Sequence, residues 1–299
     1  MNKVKDYLSL IKFSHTIFAM PFAMIGFFIG VMQWENSTSS ALHKVENFFR
    51  HRSLTFVYII LCMIFARSAA MAFNRYLDRH IDAKNPRTAV REIPKGIITP
   101  GQALGFTIMA CVLFVVTCFF INRICFYLSP IALLVVLGYS YTKRFTALCH
   151  LILGLGLSLA PIGAYLAVTG SFSLLPVLFS VAVIFWVSGF DIIYALQDEA
   201  FDKSQELYSI PAWLGKAKGL QASIIFHACS AAAVVIAGLM GGFGIFYWIG
   251  VAIFTGMLIY QHTIVKLHDL KKVNLAFMTA NGIASIVFAI FVIADLIIH

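Results

Sequence analysis

Charge is scarce in this chain, and negative charge scarcer still. Only 12% of the 299 residues are Asp, Glu, Lys or Arg, and 13 are acidic against 22 basic. Soluble domains carry about a quarter charged residues, so no separate water-soluble domain fits this composition. The six cysteines include no C-x-x-C pair and lie in or beside apolar runs. That argues against a thiolate metal centre or a redox motif and leaves them as small packing residues, Cys111, Cys118 and Cys125 at their seven-residue spacing included. Basic residues do not interleave with stacking aromatics in any polar module, which excludes a nucleic-acid partner. The D-x-x-D-G signature of CDP-alcohol transferases is absent as well.

What is present is apolar. Hydrophobic residues make up 61% of the chain and the mean hydropathy is +0.89. Runs near the roughly 20 residues needed to cross a bilayer recur along it. Nine are expected, at 15–34, 54–73, 102–121, 125–141, 149–168, 173–195, 220–240, 243–263 and 275–297, which predicts an all-α polytopic membrane protein. The first run is too long for the apolar region of a cleaved leader, although Ser39-Ser40-Ala41 imitates a cleavage site. With the N-terminus placed inside, 17 Lys and Arg fall in inner segments and four in outer ones, with Arg67 within a span. The positive-inside rule then predicts an inner (cytoplasmic) membrane protein with its N-terminus in the cytoplasm and its C-terminus outside. The net charge of +9 reads as topology together with attraction for an anionic substrate or lipid headgroups. Residues 3–12 suit a short interfacial helix, and the outer loop at 35–52 is polar. Gly26-x-x-x-Gly30, Gly154 and Gly156 suit close helix packing.

Against this background, acids beside apolar spans need a reason. Six of the thirteen fall in two short stretches. One is Asn74-Arg-Tyr-Leu-Asp78-Arg-His-Ile-Asp82, and the other runs from Asp191 through Tyr194, Gln197, Asp198 and Glu199 to Asp202. Residues four apart share a helix face, so Asn74, Asp78 and Asp82 form a stripe about 12 Å long if the second span's helix runs on beyond its apolar core. Asp198 and Asp202 form a shorter stripe, with Tyr194 one turn earlier and Asp191 two turns before Asp198. The expected topology puts both on the inner side. Gathered carboxylates repel and require cations, and an oxygen-only ligand set favours Mg²⁺ over zinc. Asn74, Asp78, Asp82, Asp198 and Asp202 are the candidate metal ligands.

Basic residues complete the pattern. Arg67 lies seven residues before Asn74, on the same face and two turns deeper. A lone Arg at the centre of a span costs about 2.5–3.5 kcal/mol, which argues for a functional partner. Arg87 and Arg91 follow the first cluster, and Lys143-Arg144 end the fourth span. Two metal ions and these cations could neutralise a diphosphate. Each long inner loop also carries an Ile-Pro step, Ile93-Pro94 and Ile210-Pro211, with Gly soon after, which suggests two four-helix halves and a ninth helix meeting at the site.

At these residues the chain resembles the UbiA superfamily of intramembrane aromatic prenyltransferases. That family has nine transmembrane helices, N-x-x-x-D-x-x-x-D after helix two and a second Asp-rich motif after helix six. Arg67 stands where the family has an Arg before the Asn, Arg87-Thr88-Ala89-x-Arg91 resembles its R-T-x-x-R, and Lys143-Arg144 resembles its Lys-Arg after helix four. The resemblance covers nearly the whole chain, implying one transmembrane prenyltransferase domain over 1–299. Two positions depart from many 4-hydroxybenzoate members: Arg75 follows Asn74 where they have Asp, and Leu207-Tyr208-Ser209-Ile210-Pro211 replaces a Lys-Ser-Thr step. Residues 73–94 and Gln197-Asp198 are more similar to the branch serving menaquinone by the futalosine route. The resemblance therefore implies Mg²⁺-dependent transfer of a polyprenyl group from its diphosphate to 4-hydroxybenzoate or 1,4-dihydroxy-6-naphthoate, in ubiquinone or menaquinone biosynthesis. Arg87, Arg91, Lys143 and Arg144 would bind phosphate, and Arg67 the acceptor carboxylate or a phosphate. Asp191 and Tyr194 would orient the acceptor or assist its deprotonation. Another acceptor, such as haem or a chlorophyll precursor, is the alternative within the family. A cation-coupled transporter is the alternative outside it, and predicts carboxylates in broken helices at mid-bilayer.

Overall fold

The structure is a computed structural model describing residues 3–11, 19–34, 39–267, 270 and 273–299. Among these residues it is all helical, without a β-strand. The elements are α1 (Lys3–Leu10), α2 (Met20–Trp34), α3 (Ala41–Lys84), α4 (Pro100–Ile121), α5 (Arg123–Thr142), α6 (Cys149–Thr169), α7 (Leu174–Ala195), α8 (Glu199–Ser204), α9 (Ile210–Leu214), α10 (Lys216–Gly241), α11 (Ile245–Ile264), α12 (Val273–Leu275) and α13 (Asn281–Ile298). A π-helical stretch, Ala276–Ala280, joins α12 to α13. Among the described residues, eight helices are long and apolar enough to cross a membrane, counting Val273–Ile298 as one, and Met20–Trp34 is a shorter apolar ninth. Residues 12–18, which include the start of the first expected span at 15–18, lie outside the described residues.

The departures from expectation have local causes. Residues 41–51, expected as part of a polar outer loop, are helical and continuous with α3 apart from a kink at Arg52 (φ −135, ψ 26). Ser40 caps this helix by accepting from the His43 N–H, and Arg52 is anchored by donating to the Val168 carbonyl at 3.2 Å, with its guanidinium over Trp34. At 44 residues α3 is about 66 Å long, twice the hydrocarbon thickness, so its far end stands clear of the apolar core. Asn74, Asp78 and Asp82 occupy that end. The second cluster differs. Helix α7 stops at Ala195, where the Leu196 N–H is shared among the Ile192, Ile193 and Tyr194 carbonyls. Asp198 sits in the following turn, and Asp202 belongs to the separate short helix α8. The expected stripe from Asp191 to Asp202 is therefore broken in two.

Packing divides the bundle unequally. Phe22, Phe179, Trp186, Tyr247, Phe254 and Phe288 are fully buried and form one aromatic core among α2, α7, α11 and α13. Gly26 lets α2 close onto α6, since a Cβ there would collide with the Pro161 carbonyl, and Gly154 lets α6 meet Ile184 of α7 in the same way. Asp295, 1% exposed, is explained by structure alone: its carboxylate accepts from the Gly244 N–H at 2.7 Å and the Tyr247 N–H at 3.1 Å, capping α11. On the other side, α3, α5, α6 and α7 enclose a cavity of about 890 Å³. Its walls include both Cys149 and Ala167 of α6, a separation of about 27 Å along one helix, so it runs most of the bilayer's depth.

Candidate active site

The inner end of this cavity is where the two acidic clusters meet. The meeting is made by the loop after α3. Asn85 caps that helix, and its side-chain oxygen accepts from the Arg87 N–H, which turns the chain. Thr88 holds the turn by donating to the Asp82 carbonyl at 3.1 Å. Arg87 then reaches the second cluster: its Nε donates to Asp198 Oδ1 at 3.0 Å, its Nη2 pairs with Asp198 Oδ2, and its Nη1 donates to the Tyr194 hydroxyl at 2.8 Å. Burial alone would lower the Arg87 guanidinium's pKa, but the bonds to Asp198 and Tyr194 hold it above its usual value. Asn85 Nδ2 also donates to Asp198 Oδ1 at 3.2 Å.

The first cluster is neutralised from other elements. Asp78 is 1% exposed and accepts from Lys143 Nζ at 2.5 Å, Arg144 Nη2 at 2.9 Å and Asn74 Nδ2 at 3.1 Å. Asp82 accepts from Arg91 Nη1 at 2.7 Å, while its other oxygen, Oδ2, is buried with no hydrogen-bond partner. Asp202 is held by the Ser209 hydroxyl at 2.9 Å. Burial pushes the Asp202 carboxyl up to about 6; Asp198 nearby adds to this, and the Ser209 bond and the Lys143 charge oppose it. Ser209 also caps α9, and the Tyr208 N–H donates to the Lys143 carbonyl at 2.7 Å. The unusual 207–211 stretch thus ties α5 to the second cluster.

Deeper in the cavity are Arg67, Asp191 and Tyr194. Arg67 lies beside Tyr139, and its Nε is buried without a hydrogen-bond partner. Asp191 accepts from His150 Nδ1 at 2.7 Å, because His150 Nε2 is already occupied by the Ile210 N–H at 3.3 Å. That second contact fixes the tautomer. Tyr194 is held by Arg87 and by its ring contact with Phe277 at 4.6 Å between centroids. All twelve residues singled out in the sequence gather along this cavity or directly behind it. Sequence reasoning gave no role to His150, Asn85 or Ser209, the last noted only as part of the 207–211 departure. None belongs to an acidic motif, and the only signal for any of them was the place of Ser209 beside the Ile210-Pro211 step.

The donor set suits a hard divalent cation. It consists of oxygens, Asp198 and Asp202 face the cavity, and Asp82 Oδ2 is a buried acceptor with nothing to accept from. No cluster of three or more Asp, Glu, His or Cys forms a ready metal cage among the described residues. A site shared with substrate oxygens fits this better than a closed protein cage.

A polytopic helical bundle with a membrane-deep apolar cavity, closed at one end by paired Asp motifs and basic loops, is the framework of an intramembrane prenyl-transferring enzyme. Residues 19–283 match the UbiA prenyltransferase family, and the chain belongs to that family. It is 30% identical to the 4-hydroxybenzoate octaprenyltransferase of Nitrosomonas europaea over 237 residues, covering 78% of this chain and 80% of that one. A solved apo UbiA homolog from Aeropyrum pernix K1 superposes with a TM-score of 0.76 at 28% identity, covering 95% of this chain and 97% of the other. A UbiA homolog from Archaeoglobus fulgidus, solved bound to GPP and Mg²⁺, shares the fold at a TM-score of 0.68 and 20% identity, covering 98% and 99%. The chain is a membrane prenyltransferase.

Proposed function

We propose that this enzyme transfers a polyprenyl group from its diphosphate to a ring carbon of an aromatic acid, 4-hydroxybenzoate or 1,4-dihydroxy-6-naphthoate, as a step of ubiquinone or menaquinone biosynthesis. The observation that carries this reading is the polarity of the cavity: an apolar shaft about 27 Å deep opens at one end onto Asp198, Asp202, Arg75, Arg87, Arg91 and Lys143, with Asp78, Asp82 and Arg144 directly behind them. A prenyl tail fits the shaft and a diphosphate fits the charged end.

The proposed division of labour follows the geometry. Mg²⁺, held by Asp198 and Asp202 from one side and by Asn74, Asp78 and Asp82 from the other, would supply the charge that makes the diphosphate a good leaving group. Arg87, Arg91, Lys143 and Arg144 hold phosphate oxygens, each exchanging a carboxylate partner for substrate. Arg67, seven residues before Asn74 on α3 and about 10 Å deeper, is at the height of the acceptor and takes its carboxylate. The allylic C–O bond ionises, diphosphate leaves, and the electron-rich ring carbon attacks the resulting allylic cation. Asp191, positioned by His150, takes the ring proton, and Tyr194 steadies Arg87 beside it. Apolar walls keep water from the allylic cation. The orientation that fits is the one with the site on the cytoplasmic face, the N-terminus inside and the C-terminus outside, given 17 of 22 Lys and Arg on that side.

Purified protein in detergent, supplied with a polyprenyl diphosphate, Mg²⁺ and each aromatic acid in turn, tests the reading. A prenylated aromatic product and stoichiometric diphosphate are expected. Absence of product with every aromatic acid, despite a folded protein, defeats the assignment.

A further inference from the structure

Four of the basic side chains at the charged end already have carboxylate partners: Arg87 with Asp198, Arg91 with Asp82, and Lys143 and Arg144 with Asp78. Arg75 does not share this arrangement. It is 4% exposed, follows Asn74 on α3, and lines the cavity, yet its Nε and Nη1 are buried with no hydrogen-bond partner. Asp82 and Glu92 act on it through their charge, without reaching these two atoms, and Arg91 opposes them. A guanidinium does not lose its proton in a protein and carries five donors in a fixed fork that matches phosphate oxygens. Buried donors left unsatisfied are costly, and an arriving anion removes that cost. The height on the helix selects the anion. Arg75 is level with Asn74, while Arg67 and the acceptor site lie eight residues away, about 12 Å along the axis.

We propose that Arg75 is a binding residue for the donor's diphosphate that acts without divalent metal. Its unpaired donors have no carboxylate to leave before taking phosphate oxygens, whereas the neighbouring cations must first leave theirs. The proposal rests on the polyprenyl diphosphate assigned above as donor.

The test is binding of inorganic pyrophosphate to the full-length protein in detergent with EDTA present, followed by isothermal titration. Wild type is expected to bind, and Arg75→Gln to bind about 10- to 100-fold more weakly. Arg75→Lys, which keeps the charge but loses the fork, is expected to fall between and also serves if Arg75→Gln does not fold. Three results would overturn the proposal: no metal-free binding by wild type, equal binding by Arg75→Gln or Arg75→Lys, or a loss confined to 4-hydroxybenzoate. Loss of phosphatidylglycerol binding with pyrophosphate binding intact would make the anion a lipid headgroup and overturn it too. Prenyl transfer by wild type decides the donor assignment separately. An enzyme that transfers the chain but whose pyrophosphate affinity ignores Arg75 loses this inference alone.

Discussion

The two acidic clusters perform related tasks with different construction. Asn74, Asp78 and Asp82 ride on the unbroken part of α3 beyond its kink at Arg52, and both carboxylates are almost wholly buried behind Lys143, Arg144 and Arg91. Asp198 and Asp202 lie past a broken helix end, on a turn and a six-residue helix, and face the cavity directly. One cluster is a rigid wall whose charge is already compensated. The other is a more accessible edge whose Asp202 holds its proton up to about pH 6. The contrast teaches that equal motifs need not be equally ready for metal: Asp202, held by a hydroxyl, can take a cation as it stands, whereas Asp198, like Asp78 and Asp82, does so only when its basic partner moves onto substrate.

The largest expected effect comes from removing one carboxylate of each cluster. Asp78→Asn and Asp198→Asn should each reduce prenyl transfer by about 10²–10³-fold, the loss typical of removing one group aimed at developing charge. Asp78→Asn should in addition lower the melting temperature, because Lys143 and Arg144 lose their shared partner while still half-buried. If Asp198→Asn destabilises the fold more than Asp78→Asn, the wall-and-edge contrast is wrong.

Arg67→Gln should raise the acceptor KM by about 10–100-fold, equivalent to a charged hydrogen bond, and leave the KM for the donor nearly unchanged. A rise in donor KM instead would put Arg67 at the diphosphate.

The next prediction concerns pH. Metal ligands must be deprotonated, so Mg²⁺ binding to the substrate-free protein should weaken as pH falls through about 6, by about tenfold at pH 5, as Asp202 gains its proton. The raised value also means that the folded state binds more protons than the unfolded one between the usual carboxylate range and about 6. Stability contributed by Asp202 is therefore lost as pH rises through that window. Titration calorimetry at pH 5 and pH 7.5 checks the first statement, and flat affinity between them contradicts it.

The smallest effect is assigned to Ser209→Ala. It removes a bond that lowers the Asp202 pKa and the cap of α9, so the acid limb of Mg²⁺ binding should move to higher pH and stability should fall by about 0.5–2 kcal/mol. An acid limb that stays in place would show that Ser209 serves only the cap.

Much of this was legible in the sequence for identifiable reasons. The nine apolar runs and the four-residue spacing of Asn74, Asp78 and Asp82 are periodic, and periodicity survives folding when a helix is long. The halt of α7 at Ala195 carried no such signal: no Gly or Pro marks Leu196 or Gln197, and the break comes from a carbonyl-sharing turn. The ion pairs were also invisible, because Lys143 and Asp78 are 65 residues apart in sequence and meet only through the packing of α3 against α5. His150 is the clearest omission. A single His at the start of an apolar run looks like packing until the Ile210 N–H and Asp191 are found on its two nitrogens. Asp295 shows the converse, a buried acid in an apolar run that serves only as a helix cap.

The central claim is that both clusters act on one diphosphate. A double-mutant cycle on diphosphate release with Asp78→Asn, Asp198→Asn and the pair measures it most directly. Two halves of one site predict that the double variant loses little more than the worse single one, within about tenfold. Losses that multiply across the pair would mean two independent sites and contradict the account.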